Sequence, residues 1–197
     1  MRVFIAVLLL IFSFQSWIKA EDINDFKIEE MSIGDSLLDY MNKDEIQKEI
    51  ELNRYMYSYL TGEFGEVYLL NRKFEKYNMV SVFVKPADEE FLIYRISGSM
   101  NFNNKIEKCY PLMNEIAEEF SKSFKNSKKQ EFSNDHPVDE TGRSKTKTIS
   151  FITNSNNIAS VQCMDFEEEL RIKNSWADSL IITLSLDEAE QWFLKKN

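Results

Sequence analysis

The apolar positions of this chain repeat with two periods, and the places where the period changes mark its elements. Residues 79–85, MVSVFVK, alternate and are rich in β-branched side chains, which predicts a strand. PADEE at 86–90 predicts a turn. FLIYRISGSM at 91–100 predicts the returning strand of an antiparallel hairpin, with Gly98 marking a bulge or a close backbone approach. The period then lengthens. Ile106, Cys109, Tyr110, Met113, Ile116, Ala117, Phe120 and Phe124 recur at spacings of three and four, with Glu107, Glu115, Glu118, Glu119 and Lys122 opposite them. This predicts a long amphipathic helix over 105–124, starting effectively near Lys108 because Pro111 is tolerated only in a first turn. Alternation returns in KTISFIT (147–153), IASVQCMDF (158–166) and DSLIITLS (178–185), three further strands. NSNN at 154–157 makes a hairpin of the first two, and Ala159, Val161 and Cys163 share one face of the middle one.

Capping patterns supply the remaining helices. Ser32 with Asp35, and Asn42 with Glu45, are two capping boxes in succession and predict an N-terminal helix pair with one apolar side. Ser185 with Glu188 opens a C-terminal helix whose apolar side is Leu186, Ala189, Trp192 and Phe193. FKIEE before the first box predicts a short strand. NRYMYSYL and VYLLNRKFEKY predict two loosely strand-like pieces around the turn TGEFGE, with Tyr55, Tyr57, Tyr59, Phe64 and Tyr68 as core aromatics, a binding surface being the alternative. Residues 126–147 hold almost no core-forming side chains and predict a long polar loop. The sum is an α+β domain: an antiparallel sheet of about five strands, with the helix pair, the long central helix and the C-terminal helix packed on one face.

The first twenty residues stand outside this pattern. Arg2 precedes an apolar run from Val3 to Phe14, and Ile18-Lys19-Ala20 ends in a small residue before the polar EDINDF. That is the layout of a secretory signal peptide, 1–20, cleaved after Ala20, which leaves a single domain over 21–197 and no transmembrane segment. The alternative, an uncleaved anchor, would need an apolar run of roughly 20 residues. The chain has 24 basic and 33 acidic residues, a net charge of −9, and losing Arg2 and Lys19 with the leader makes it more negative still. Such a surface repels nucleic acid and anionic headgroups. Two cysteines in an exported chain predict one disulfide, Cys109–Cys163, within reach if the face carrying Cys163 meets the long helix.

Residues 34–37 read GDSL and resemble the first block of the GDSL, or SGNH, serine hydrolases. The resemblance would make Ser36 a nucleophile and require a base, an oxyanion hole and a late Asp-x-x-His block. His136 is the sole histidine and so the sole candidate base, but Ser133 stands where that Asp belongs. Phe132-Ser133-Asn134-Asp135 echoes the Gly-x-Asn-Asp block with Phe in place of Gly, and no strand precedes Ser36. The same four letters also suit a helix start. No cofactor is implied, and with one histidine and two paired cysteines no imidazole or thiolate metal site is either. Asp165, Glu167, Glu168 and Glu169 read as a solvated turn.

FKIEEMSIGDSLLDYMNKDEI, YRISGSMNF with IEKCYPLMNEIAEEF, and VQCMDF together resemble a group of uncharacterised exported proteins of streamlined marine bacteria. The resemblance implies an extracytoplasmic location and a paired-cysteine α+β fold, and it brings no activity. IEEMSIGDSLLDYM is also similar to the opening of small outer-membrane assembly lipoproteins of the BamE type, with Glu30 in place of their Gly and without their lipidated Cys. The expectation is an exported, periplasmic or secreted, non-enzymatic binding or envelope-associated protein, its partner unknown, an envelope protein being one candidate. The alternatives are an interaction module for envelope assembly or inhibition, and a serine esterase using Ser36 and His136.

Overall fold

The computed structural model describes residues 23–196 apart from 57–61, 71 and 104. The predicted leader, the proposed cleavage point, and Tyr57 and Tyr59 of the aromatic stretch lie outside the described residues. The elements are α1 (Lys43–Met56), β1 (Gly65–Tyr68), β2 (Met79–Val84), β3 (Arg95–Asn103), α2 (Cys109–Ser123), β4 (Lys128–Asp135), β5 (Lys145–Ile152), β6 (Ile158–Asp165), α3 (Glu168–Asn174), β7 (Asp178–Ser185) and α4 (Asp187–Lys196). All seven strands form one antiparallel sheet in the order β1-β2-β3-β7-β6-β5-β4. The chain leaves β3, crosses through α2 to the far edge, and returns by the meander β4-β5-β6-β7 to close against β3.

The α+β architecture therefore has seven strands where about five were expected, and both additions have a physical cause. The expected polar loop over 126–147 contains β4, paired with β5 from Lys128↔Ile152 to Asp135↔Lys145. A strand at the edge of a sheet with both faces in water needs backbone partners and no apolar alternation, so its sequence carries no strand pattern. β1 lies in the strand-like 53–77 segment, but Asn53 to Met56 continue α1 instead of forming a strand. FKIEE forms only an isolated bridge, Ile28 to Met31.

The expected N-terminal helix pair is one helix. Asn42 and Glu45 form the reciprocal capping box of α1: Glu45 N–H donates to Asn42 Oδ1 at 3.0 Å, and Asn42 N–H donates to Glu45 Oε2 at 3.2 Å. Ser32 N–H likewise donates to Asp35 Oδ2 at 2.8 Å, but no α-helix follows. Gly34 N–H instead donates to the Ile93 carbonyl, Ile93 N–H to Asp35, and Leu37 N–H to Phe91. These backbone groups are spent on the β2–β3 connection, Gly34 takes a left-handed φ of 88°, and only a short 3-10 turn, Leu37–Asp39, remains.

Strand alternation gives the sheet two unlike faces. One carries Val80, Val82, Val84, Ile96, Leu180, Ile182, Leu184, Val161 and Phe151, and α2 packs on it through Met113, Ala117 and Phe120. The disulfide Cys109–Cys163 fixes the start of α2 to β6, with Cα atoms 6.1 Å apart and both residues buried. The other face carries Tyr68, Ser81, Ser97, Thr183, Ser160 and Ser150 in one row across the strands. The helices, expected together on one face, do not share it. Phe83 alternates with Val82 and Val84, and α4 packs over Phe83, Phe64 and Tyr94 with Ala189, Trp192 and Phe193. Arg95 Nη1 bonds Glu190 Oε2 at 2.8 Å and holds α4 there.

Candidate functional site

Ser36 and His136 sit far apart, at opposite ends of the strands and four strands from each other. Ser36 bridges Leu92 and donates to the Glu90 carbonyl at 2.6 Å, beside the β2–β3 connection. Its hydroxyl also accepts from Leu38 N–H at 3.3 Å, the cap of the 3-10 turn. His136 follows the last residue of β4, at an edge of the sheet and at the other end of the strands. Four strand spacings and the length of a strand separate the two, on the order of 30 Å. The imidazole stacks against Phe166, centroids 4.9 Å apart, and burial lowers its pKa against the opposing pull of Asp139. The hydroxyl of Ser36 is spent on architecture, and no nucleophile–base pair joins it to His136.

Carboxylates with shifted pKa values lie elsewhere. Glu66 is 7% exposed. Burial pushes its carboxyl up, opposed by hydrogen bonds to the hydroxyls of Ser81 and Tyr68 and by the charge of Arg95. Asp165 is raised by burial, and Asp178 by burial and the neighbouring Asp165, although Phe166 N–H donates to Asp178. The acidic run after β6 is not the expected solvated turn: Glu168 and Glu169 begin α3, and Glu167 caps it by accepting from Leu170 N–H at 3.1 Å. Among the described residues no three His, Cys, Asp or Glu side chains are grouped to hold a metal ion.

A groove of about 520 Å³ with a largely apolar lining lies on the helix-covered face. Met100 on β3 with Ile182 and Leu184 on β7 form its floor. Leu112, Ile116 and Phe120 form one wall, spaced so that one side of α2 presents all three. Phe26 and Ile28 from the N-terminal segment, with Tyr77 from the β1–β2 connection, form the other. Phe26 packs on Phe120 and Phe124, with centroids at 5.6 and 4.7 Å, and so joins the two walls.

The second wall depends on two devices. Glu29, in a left-handed conformation, accepts from the N–H groups of Lys76 (2.9 Å) and Tyr77 (3.3 Å), tying the N-terminal segment to the connection before β2. Burial works against that carboxylate, and the backbone bonds from Lys76, Glu75 and Tyr77 outweigh it, so its pKa lies below the ordinary value. Tyr77 in turn lies on β3 at Gly98, where an added Cβ would stand 2.6 Å from Tyr77 Cδ1 and 2.9 Å from Ile28 Cγ2. Gly98 marks the close approach that the sequence suggested, and the β2–β3 ladder runs through it without a bulge. Burial, then the charge of Glu29, raises the Tyr77 phenol.

The rims of the groove carry opposite charges. Glu115 and Glu119 line the α2 side, and Lys27 and Lys76 line the other, all four exposed. An apolar channel of this size with a few charged groups at its mouth suits a small amphipathic ligand. Sequence reasoning identified Ile116 and Phe120 of the α2 wall and Gly98, but not Leu112, which flanks the buried stripe, nor Phe26, Ile28 or Tyr77, which lie in segments without a clear period. No protein-family model matches the chain, and neither the curated proteins nor the solved structures gave a match.

Proposed function

We propose that this is a non-enzymatic binding protein acting outside the cytoplasm, periplasmic or secreted, and that the groove between α2 and the N-terminal segment takes an amphipathic ligand. The groove carries the reading: an apolar floor and walls between rims of opposite charge. A zwitterionic headgroup fits both rims, its cationic part toward Glu115 and Glu119 and its anionic part toward Lys27 and Lys76. The net negative charge of the chain disfavours a purely anionic amphiphile. The predicted leader and the Cys109–Cys163 bridge support the location, since disulfides persist in oxidising compartments. No described helix is long and apolar enough to cross a membrane. Separation of Ser36 from His136 favours binding over ester hydrolysis.

Calorimetric titration with three dodecyl probes of different headgroup, dodecylphosphocholine, laurate and dodecylamine, tests the assignment below their micellar concentrations. The zwitterion is expected to bind most tightly, and Ile116→Trp, which fills the groove, to weaken it by at least about tenfold. No binding by any of the three, or binding that Ile116→Trp leaves unchanged, overturns it. The interaction-module alternative has its own observation, the open edge of β4.

A further inference from the structure

The two edges of the sheet are finished differently. β1 is four residues long, and α1 lies along it, the buried Asn53 donating from Nδ2 to the Glu66 carbonyl at 2.9 Å. β4 is eight residues long, KKQEFSND, and among the described residues no strand pairs with its outer side. All its side chains except the half-buried Gln130 are exposed, Phe132 at 44%. Such a strand presents a row of unpaired N–H and C=O groups about 27 Å long, a template for another strand. We propose that β4 pairs with β4 of a second copy of this chain, in an antiparallel ladder centred on Phe132 that joins the two sheets edge to edge.

Parity and charge select that register. Directly opposed residues of an antiparallel ladder turn their backbone groups the same way, either both across it or both away. Alternate residues of β4 already face β5, so a two-fold ladder must centre on a residue and not between two. Centred on Glu131, it sets that carboxylate against its own copy. Centred on Ser133, it sets Glu131 against Asp135 of the second copy. Centred on Phe132, it sets ring against ring, Glu131 against Ser133, Gln130 against Asn134 and Lys129 against Asp135. Of the two registers that pair seven of the eight residues, centred on Glu131 or on Phe132, only the second avoids like charges, and its Lys–Asp pair occurs twice by symmetry; a ladder centred on Gln130 also avoids them but pairs only five residues. The strand begins basic and ends acidic, so its best complement is its own reverse, which favours a second copy over a foreign strand.

Nothing in the present contacts opposes the exchange. Lys129 bonds Glu131 at 2.7 Å and Asp135 bonds Lys145 at 2.6 Å, both in solvent, and exposed pairs of this kind contribute little. One strand-to-strand contact buries less than the roughly 1,200 Å² of a standard interface, so the association is weak and concentration-dependent.

Sedimentation equilibrium of the disulfide-intact chain, up to about 1 mM, reads the association. A monomer–dimer equilibrium is expected. Lys129→Asp and Asp135→Lys each place like charges at both ends of the ladder and raise the dissociation constant by at least about tenfold. An equimolar mixture of the two variants restores opposite charges at both ends and recovers the parent affinity as a heterodimer. Both side chains are exposed, and circular dichroism confirms that each variant keeps the fold. A chain that stays monomeric at the highest concentration overturns the proposal. So do variants that dimerise like the parent, or a mixture no tighter than its components.

Discussion

Replacing Gly98 by alanine gives a test whose sign separates two accounts of the molecule. If β3 were an ordinary strand at this position, alanine would stabilise it by about 0.4–1 kcal/mol, because it restricts the unfolded chain and gains strand propensity. Instead, the added Cβ would meet Tyr77 at 2.6 and 2.7 Å and Ile28 at 2.9 Å. These are the body of an aromatic ring and a branched methyl, not the far end of a flexible chain, so relief requires both to move off the sheet. Overpacking of this kind costs about 1–3 kcal/mol, more than the gain. Gly98→Ala is therefore expected to be net destabilising, measured as a lower urea midpoint at unchanged slope. Shortening the ring in Tyr77→Val should relieve most of the clash, so the double-mutant cycle should show favourable coupling of about 1 kcal/mol. A neutral or stabilising Gly98→Ala would mean that Tyr77 does not rest on β3, and the second wall of the groove would be lost with it.

Two further outcomes bear on the frame around the groove. Cys109→Ala with Cys163→Ala opens a loop spanning a sequence separation of 54 and should cost about 4 kcal/mol on the chain-entropy model, seen as a matching loss of unfolding free energy relative to the oxidised parent. Glu66 has a folded pKa above its ordinary value of 4.5, so it favours the folded state fully below that value, and the contribution is lost as pH rises through the folded pKa. Glu66→Gln should therefore be more stable than the parent near neutrality, with the advantage shrinking toward pH 4.5 in chemical denaturation; an advantage independent of pH would contradict the assignment.

How legible each part was in the sequence depended on whether its neighbours left a mark on it. α2 was readable because burying one side imposes a spacing of three and four from Cys109 to Phe120. The disulfide was readable because the chain offers only one pairing. β4 left no mark, since its stability comes from backbone bonds to β5 and its side chains face water. α3 was missed for the same reason: none of its side chains is buried, so no periodicity was imposed on EELRIKN. The helix assigned to 32–41 failed because the Ser32–Asp35 bond forms a turn just as well, and the carbonyls of Phe91 and Ile93 competed for its backbone. An apolar stripe on α4 said that it packs, but not against which face. Within the groove, Gly98 signalled a close approach, while the identity of what approaches, Tyr77 and Ile28, is fixed by contacts far along the chain.

The place of β7 has a consequence for assembly. It is the last of the described strands, yet it lies between β3 and β6, so the sheet is two separate ribbons, β1–β3 and β4–β6, until residues 178–185 arrive. The cross-link from Cys109 to Cys163 lies wholly upstream of it and can staple the second ribbon to its helix beforehand. A chain emerging amino-terminus first thus holds a gap one strand wide at its centre, and β7 is the keystone: cutting the chain just before it would leave two half-sheets with raw facing edges instead of a smaller version of the same domain.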